Sequence, residues 1–177
     1  MSKLKIAIAG LGFGEKVHIP AIKESDHFDL KFLYHHDKNK IDQIEKNTGV
    51  KCYGDWNSIV TSDIEGVIIA TPPHVRFKLA KEALEHDKNI LLEKPVALTS
   101  DEIQHLQRIA ISRNLRVCVD FEYRAVPLFM QTKKLLDDNK LGKIYFIKLD
   151  WLMSSRSDPN RAWNWYSLSE KGGGVIG

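Results

Sequence analysis

The chain has 177 residues, about one domain or one and a fraction. Its 43% hydrophobic and 28% charged content is ordinary for a soluble globular protein. The net charge of +3, with Lys and Arg dispersed among acids, argues against a nucleic-acid or membrane-surface partner, and no run approaches the length of a membrane span.

Leu4 to Ala9 is almost wholly apolar, which suits the central strand of a parallel sheet, buried on both faces. Gly10-Leu11-Gly12-Phe13-Gly14-Glu15 follows at once. Closely spaced glycines between a strand and a helix form the phosphate-cradling turn of a dinucleotide fold. Gly10 allows the tight turn, Gly12 lets a pyrophosphate approach the backbone, and the next helix presents free N–H groups. The strict G-x-G-x-x-G pattern puts its third glycine where this chain has Glu15, and Gly14 comes one residue early. Glycine pairs also make ordinary turns, so the strand before the turn carries much of the weight.

A helix is predicted from Gly14 to about Ser25, with Val17, Ile19 and Ile22 inward and Pro20 near a kink. Strand two spans Asp29 to Tyr34, and a helix runs from Asp37 to Asn47. A short strand at Val50 to Tyr53 precedes a helix capped by Asp55. Gly66 to Ala70 is strand four, and Thr71-Pro72-Pro73-His74 breaks it and launches a helix to about His86. Strand five, Asn89 to Leu92, ends in Glu93-Lys94-Pro95. Thr99 and Glu102 have the spacing of a capping box for a helix to about Asn114. Arg116 to Phe121 is strand six. The fold class is α/β, a doubly wound parallel sheet with its ligand crevice at the strand carboxyl ends.

The rhythm changes after Phe121. Residues 1–122 read as the nucleotide-binding domain and 123–177 as the incomplete start of a second α/β domain. The second part holds an amphipathic helix, Val126 to Asn139, and a long strand, Lys143 to Met153. Such a strand left unpaired invites aggregation. It predicts that the chain is a fragment, that another copy covers its tail through the 143–153 region as a homo-oligomer, or that the tail is disordered.

Cys52 and Cys118 are far apart in strand-like runs and read as buried free thiols in a reducing compartment. No signal-peptide pattern precedes the first strand, and the location is read as cytoplasmic. His18, His27 and His105 show no partners in the sequence and read as surface residues. No His, Cys or acidic cluster has ligand spacing, so no metal is expected.

Gly10-Leu11-Gly12-Phe13-Gly14, Ala70-Thr71-Pro72-Pro73-His74, Glu93-Lys94-Pro95 and Tyr123-Arg124 before Pro127 stand in order. Together they resemble the Gfo/Idh/MocA family of NAD(P)-dependent oxidoreductases, over the whole chain. The resemblance implies a Rossmann domain, a second α/β domain, and hydride transfer between nicotinamide and a sugar, polyol or related alcohol. It implies a pyrophosphate turn at Gly10, Gly12, Phe13 and Gly14. It places Thr71, Pro72 and His74 beside the cofactor, and Glu93 and Lys94 at the signature on strand five. It makes Lys94 the catalytic residue, near nicotinamide and the reacting hydroxyl. A cation there stabilises an alkoxide as hydride leaves, and burial would help it exchange protons. Tyr123, Arg124 and Trp163 are substrate contacts in this reading, or packing at a domain joint, and Trp165 shares those alternatives.

Three departures stand out. An acid that holds the ribose of NAD belongs about 20 residues beyond the glycine turn. His35 and His36 occupy that place, and Asp37 follows late. Without the acid a 2′-phosphate is not repelled, and His35, His36, Lys38 or Lys40 can pair with it. NADP is therefore preferred, with NAD open through Asp37. Arg76 stands where many relatives carry a second histidine. The histidine-bearing helix that resemblance places after Gly172-Gly173-Gly174 is also absent from the sequence. That leaves a non-catalytic dinucleotide-binding or regulatory module as the alternative.

Overall fold

The computed structural model describes residues 2–150, 152, 160 and 164–173. Residues up to Asp120, with the segment from Trp165, form one compact unit, and Phe121–Asn164 form another.

The first unit is built on six parallel strands: β1 (Leu4–Ala9), β2 (Phe28–Tyr34), β3 (Lys51–Tyr53), β4 (Gly66–Ile69), β5 (Asn89–Leu92) and β6 (Val117–Val119). Their order, β3-β2-β1-β4-β5-β6, reverses direction at β1 and β4. That reversal makes the switch point where ligands bind in doubly wound folds. The helices are α1 (Ile19–Lys23), α2 (Ile41–Thr48), α3 (Trp56–Val60), α4 (Pro73–Glu85) and α5 (Ser100–Ser112).

The central position of β1 follows from its composition. Ala7 and Ala9 face a core completed by Trp56, Leu79, Ala83 and Leu106 of α3, α4 and α5. Ile6 and Ile8 face the other core, with Ile19, Ile22 and Ile44 of α1 and α2. Alternate residues feed opposite faces of a strand, so a run apolar at successive positions, Ile6 to Ala9, fits a two-sided sheet.

The helix expected from Gly14 begins instead as a π-helical turn, Gly14–His18, where Ile19 donates its N–H to the Gly14 carbonyl. Pro20 has no N–H to give and its ring crowds the preceding turn, so the wide turn ends where α1 starts. Ile19 and Ile22 are buried as predicted, but Val17 is exposed. Elsewhere the caps match the sequence. Asp55 accepts from the backbone of Asn57 and Ser58, and Thr99 and Glu102 form the reciprocal capping box. Thr99→Ala is expected to cost about 1 kcal/mol, read as a lower urea midpoint with dinucleotide binding unchanged.

Cys52 is buried in β3, but Cys118 is exposed. It sits on β6, which among the described strands has a neighbour only in β5. The second unit contains a 3₁₀ turn, Glu122–Ala125, and α6 (Pro127–Asp137), with Pro127 at its first turn. Leu128 and Met130 on α6 are exposed. Of the strand predicted for 143–153, the described residues 144–150 are in no strand, and Tyr145, Phe146, Ile147 and Leu149 are exposed; Trp151 and Met153 lie outside the described residues. A strand needs a hydrogen-bonded neighbour, and no described strand pairs with this segment.

Candidate functional site

A crevice of about 870 Å³ opens at the carboxyl ends of the strands in the first unit. Gly10, Leu11, Gly12 and Phe13 line one side, and Thr71, Pro72, His74 and Val75 another. His35, His36 and Tyr34 come from the end of β2, and Trp56, Trp165 and Tyr166 add aromatic wall.

Each glycine of the turn has its own reason. Gly10 has φ +93°, and a Cβ there would meet the backbone of Ala70 and Thr71 at 2.5 Å. The turn is thus pressed against the end of β4. A Cβ on Gly12 would meet nothing within 4 Å, which leaves open the approach to the backbone. A Cβ on Gly14 would lie 2.9 Å from Ile8 Cγ2. Gly14 therefore makes the close helix–strand contact that the sequence pattern assigns to position 15, and the π-helical turn begins there.

Two buried polar atoms of crevice-lining residues, Thr71 Oγ1 and Trp56 Nε1, have no hydrogen-bond partner among the described residues. Buried polar groups are normally paired. Together with the open cradle at Gly12, they fit a polar ligand shaped like a dinucleotide.

At the end of β2, the His35 and His36 rings stack with centroids 4.8 Å apart. His35 Nδ1 accepts from the Asp37 N–H at 3.1 Å. The Asp37 carboxylate accepts from the Asn39 N–H at 3.1 Å and lies 3.9 Å from Lys40 Nζ. It caps the local turn and does not line the crevice. The cations on the crevice wall are Lys16 and Lys78 rather than Lys38 and Lys40.

The structure separates Glu93 and Lys94 from this wall. Glu93 is buried at the end of β5, and Lys94, next in the chain, is exposed and joined to Pro95 by a cis peptide. The burial expected for Lys94 is not present in this chain. Tyr123 and Arg124 are exposed and belong to the second unit, where Tyr123 stands edge-on to Phe129. Trp163 lies outside the described residues. Trp165, half-buried and stacked on Tyr166 at 3.8 Å, lines the crevice.

Three groups were hidden from sequence reasoning. Arg76 is buried, and its guanidinium donates to the carbonyls of Thr71, Glu93 and Pro95. It ties the loop after β4 to the loop that carries Lys94. Burial pushes Arg76 down to about 10, and Glu93 and Tyr166 counter this in part; it remains a cation at neutral pH. His18 is buried, not a surface residue, and its Nε2 lies 3.0 Å from Glu93 Oε1. Asp120 at the end of β6 places Oδ2 4.0 Å from the same nitrogen. Burial alone would raise the Glu93 carboxyl, but His18, Asp120 and Lys94 together hold it below the usual carboxylate range. The ligand-type atoms of His18, Glu93 and Asp120 lie within 4.8 Å of one another. The cluster expected to be missing therefore exists, assembled from three separate segments. His27 is exposed, and His105 is half-buried against Phe77.

The fold and crevice define a doubly wound domain with a dinucleotide site at its switch point. The model of the oxidoreductase family with an NAD-binding Rossmann fold (GFO_IDH_MocA) matches residues 4–121, and the chain belongs to that family. An uncharacterised oxidoreductase of Synechocystis is 39% identical over 176 residues, covering 98% of this chain and 47% of its own length. Levoglucosan dehydrogenase of Pseudarthrobacter phenanthrenivorans is 34% identical over 125 residues, covering 70% of this chain and 32% of its own. The structure of scyllo-inositol dehydrogenase from Lactobacillus casei, solved with NAD(H) and scyllo-inositol, superposes with a TM-score of 0.73 at 28% identity. That match covers 80% of this chain and 43% of that one. The chain spans about half the length, or less, of these relatives.

Proposed function

We propose that this chain is the cofactor-binding part of an oxidoreductase that moves a hydride between nicotinamide and a sugar, polyol or related alcohol or carbonyl. The observation that carries this reading is the crevice itself, where Gly10, Gly12, Phe13, Thr71, Pro72 and His74 converge. Gly14 supports the turn from behind. The backbone N–H groups of the turn and of the following helix hold the pyrophosphate. A bound nicotinamide supplies or accepts the hydride. Lys94 holds the substrate oxygen and stabilises its negative charge, with Glu93 beside it. The sugar-like substrate class draws on the relatives' names. Tyr123, Arg124 and Trp163 are assigned to substrate contact, and residues 123–177 to the start of the second domain. The same reading includes a cytoplasmic location and self-association through the 143–153 region, where Tyr145, Phe146, Ile147 and Leu149 are exposed.

The cofactor is NADP in preference to NAD. Support comes from His35 and His36 on the crevice wall and from the engagement of Asp37 as a turn cap. Titration with NADPH and NADH tests this, followed by energy transfer from Trp56 and Trp165, which line the crevice. NADPH is expected to bind about tenfold tighter, roughly 1.4 kcal/mol, and changing both histidines to Ala is expected to narrow the gap. Tighter binding of NADH would overturn the preference, and binding of neither by the folded chain would overturn the cofactor site.

A further inference from the structure

We infer that His18 is a positioning residue for Lys94, acting through Glu93. The inference rests on the role proposed above for Lys94. The His18 and Glu93 side chains are each 8% exposed and meet at 3.0 Å. Such a contact is a direct charge-assisted hydrogen bond. It satisfies both groups without an ion, so we read the contact as a hydrogen bond rather than part of a ligand set. It spans 75 positions of sequence. It joins the turn that carries the glycines to the end of β5.

The consequence for Lys94 is geometric. Glu93 is buried and Lys94 is exposed, so the two side chains leave the backbone in different directions. Anchoring the Glu93 side chain sets the direction of the next one. The Arg76 guanidinium holds the carbonyls on either side, those of Glu93 and Pro95. Arg76 fixes where the backbone runs, while His18 fixes its rotation. His18 ends the π-helical turn that begins at Gly14, so the same short element carries the last glycine and the anchor. Phe13 covers the imidazole edge-on, with ring centroids 5.4 Å apart.

The test uses the chain itself, with its lysines methylated by ¹³C-formaldehyde and read by NMR. The Lys94 signal is identified by its absence in Lys94→Arg. His18→Leu is expected to displace and broaden that signal, and His18→Gln, which keeps an N–H near the Nε2 position, to return it to the parent position. A purely space-filling role for His18 would let Leu serve as well as Gln. An unmoved Lys94 signal in folded His18→Leu, or a His18→Gln signal as displaced as that of Leu, overturns the inference. Should His18→Leu lose its far-UV circular dichroism, His18→Met takes its place, since a thioether has no N–H to give Glu93: displacement is expected, and an unmoved signal overturns the inference. The role of Lys94 in hydride transfer is tested separately, through turnover of Lys94→Met in a full-length relative. Failure there leaves the NMR result standing, so the two claims fall independently.

Discussion

Gly10→Ala is expected to destabilise the chain by about 4 kcal/mol and to abolish dinucleotide binding. Two costs add. At φ +93° an L side chain clashes with its own backbone, about 1–2 kcal/mol. The new Cβ would also sit 2.5 Å from Ala70 C and Thr71 N. Those are backbone atoms at the end of a buried strand and cannot swing aside, so overpacking adds about 1–3 kcal/mol. Thermal unfolding should show a midpoint lowered by about 10 °C. Gly12→Ala provides the contrast. Its Cβ would meet nothing within 4 Å, so stability should stay near that of the parent. The methyl would nonetheless stand where a pyrophosphate approaches, and NADPH affinity should fall about tenfold. Equal stability in Gly10→Ala and the parent would show that the turn is not pressed against β4. Unchanged affinity in Gly12→Ala would remove the turn from the cofactor site.

These glycines also mark how far the sequence could be read. β4 and β5 are short apolar runs bounded by turns, and such runs need no tertiary information to be recognised. The capping box at Thr99 and the cap at Asp55 are local hydrogen-bonding patterns, and both formed. Gly14 shows where local reading stops. Its spacing broke the pattern, yet it meets Ile8 as the missing glycine would, because the π-helical turn changes which residue faces the strand. His18 and Arg76 were less visible still. Nothing near His18 in sequence predicts Glu93, and nothing near Arg76 predicts carbonyls 17 and 19 residues away. Such groups look like surface residues because long-range partners satisfy them. The described part of the 143–153 run, residues 144–150, failed for the opposite reason. Its apolar pattern states what a strand there would need, but pairing is not a property of one segment.

Arg76→Met is expected to cost about 3 kcal/mol, and its effect should centre on the loop that carries Lys94. Methionine fills much of the same space, so the change tests charge and hydrogen bonding more than volume. What is lost is the donor set for three carbonyls, those of Thr71, Glu93 and Pro95. A buried acceptor left unsatisfied costs about 1–3 kcal/mol. What is regained is the price of burying a cation, visible in the depression of Arg76 to about 10. Removing one member of a buried charged network generally costs more than the relief returns. Arg76→Lys should fall between the two, because an ammonium keeps the charge but not the planar fork that serves several carbonyls at once. Urea unfolding of the three chains measures the order, parent above Lys above Met. Hydrogen exchange then locates the effect: amides around Glu93–Val96 and Thr71 should lose protection more than those of β1. Uniform loss across the sheet would mean that Arg76 supports the whole core rather than the two loops it joins.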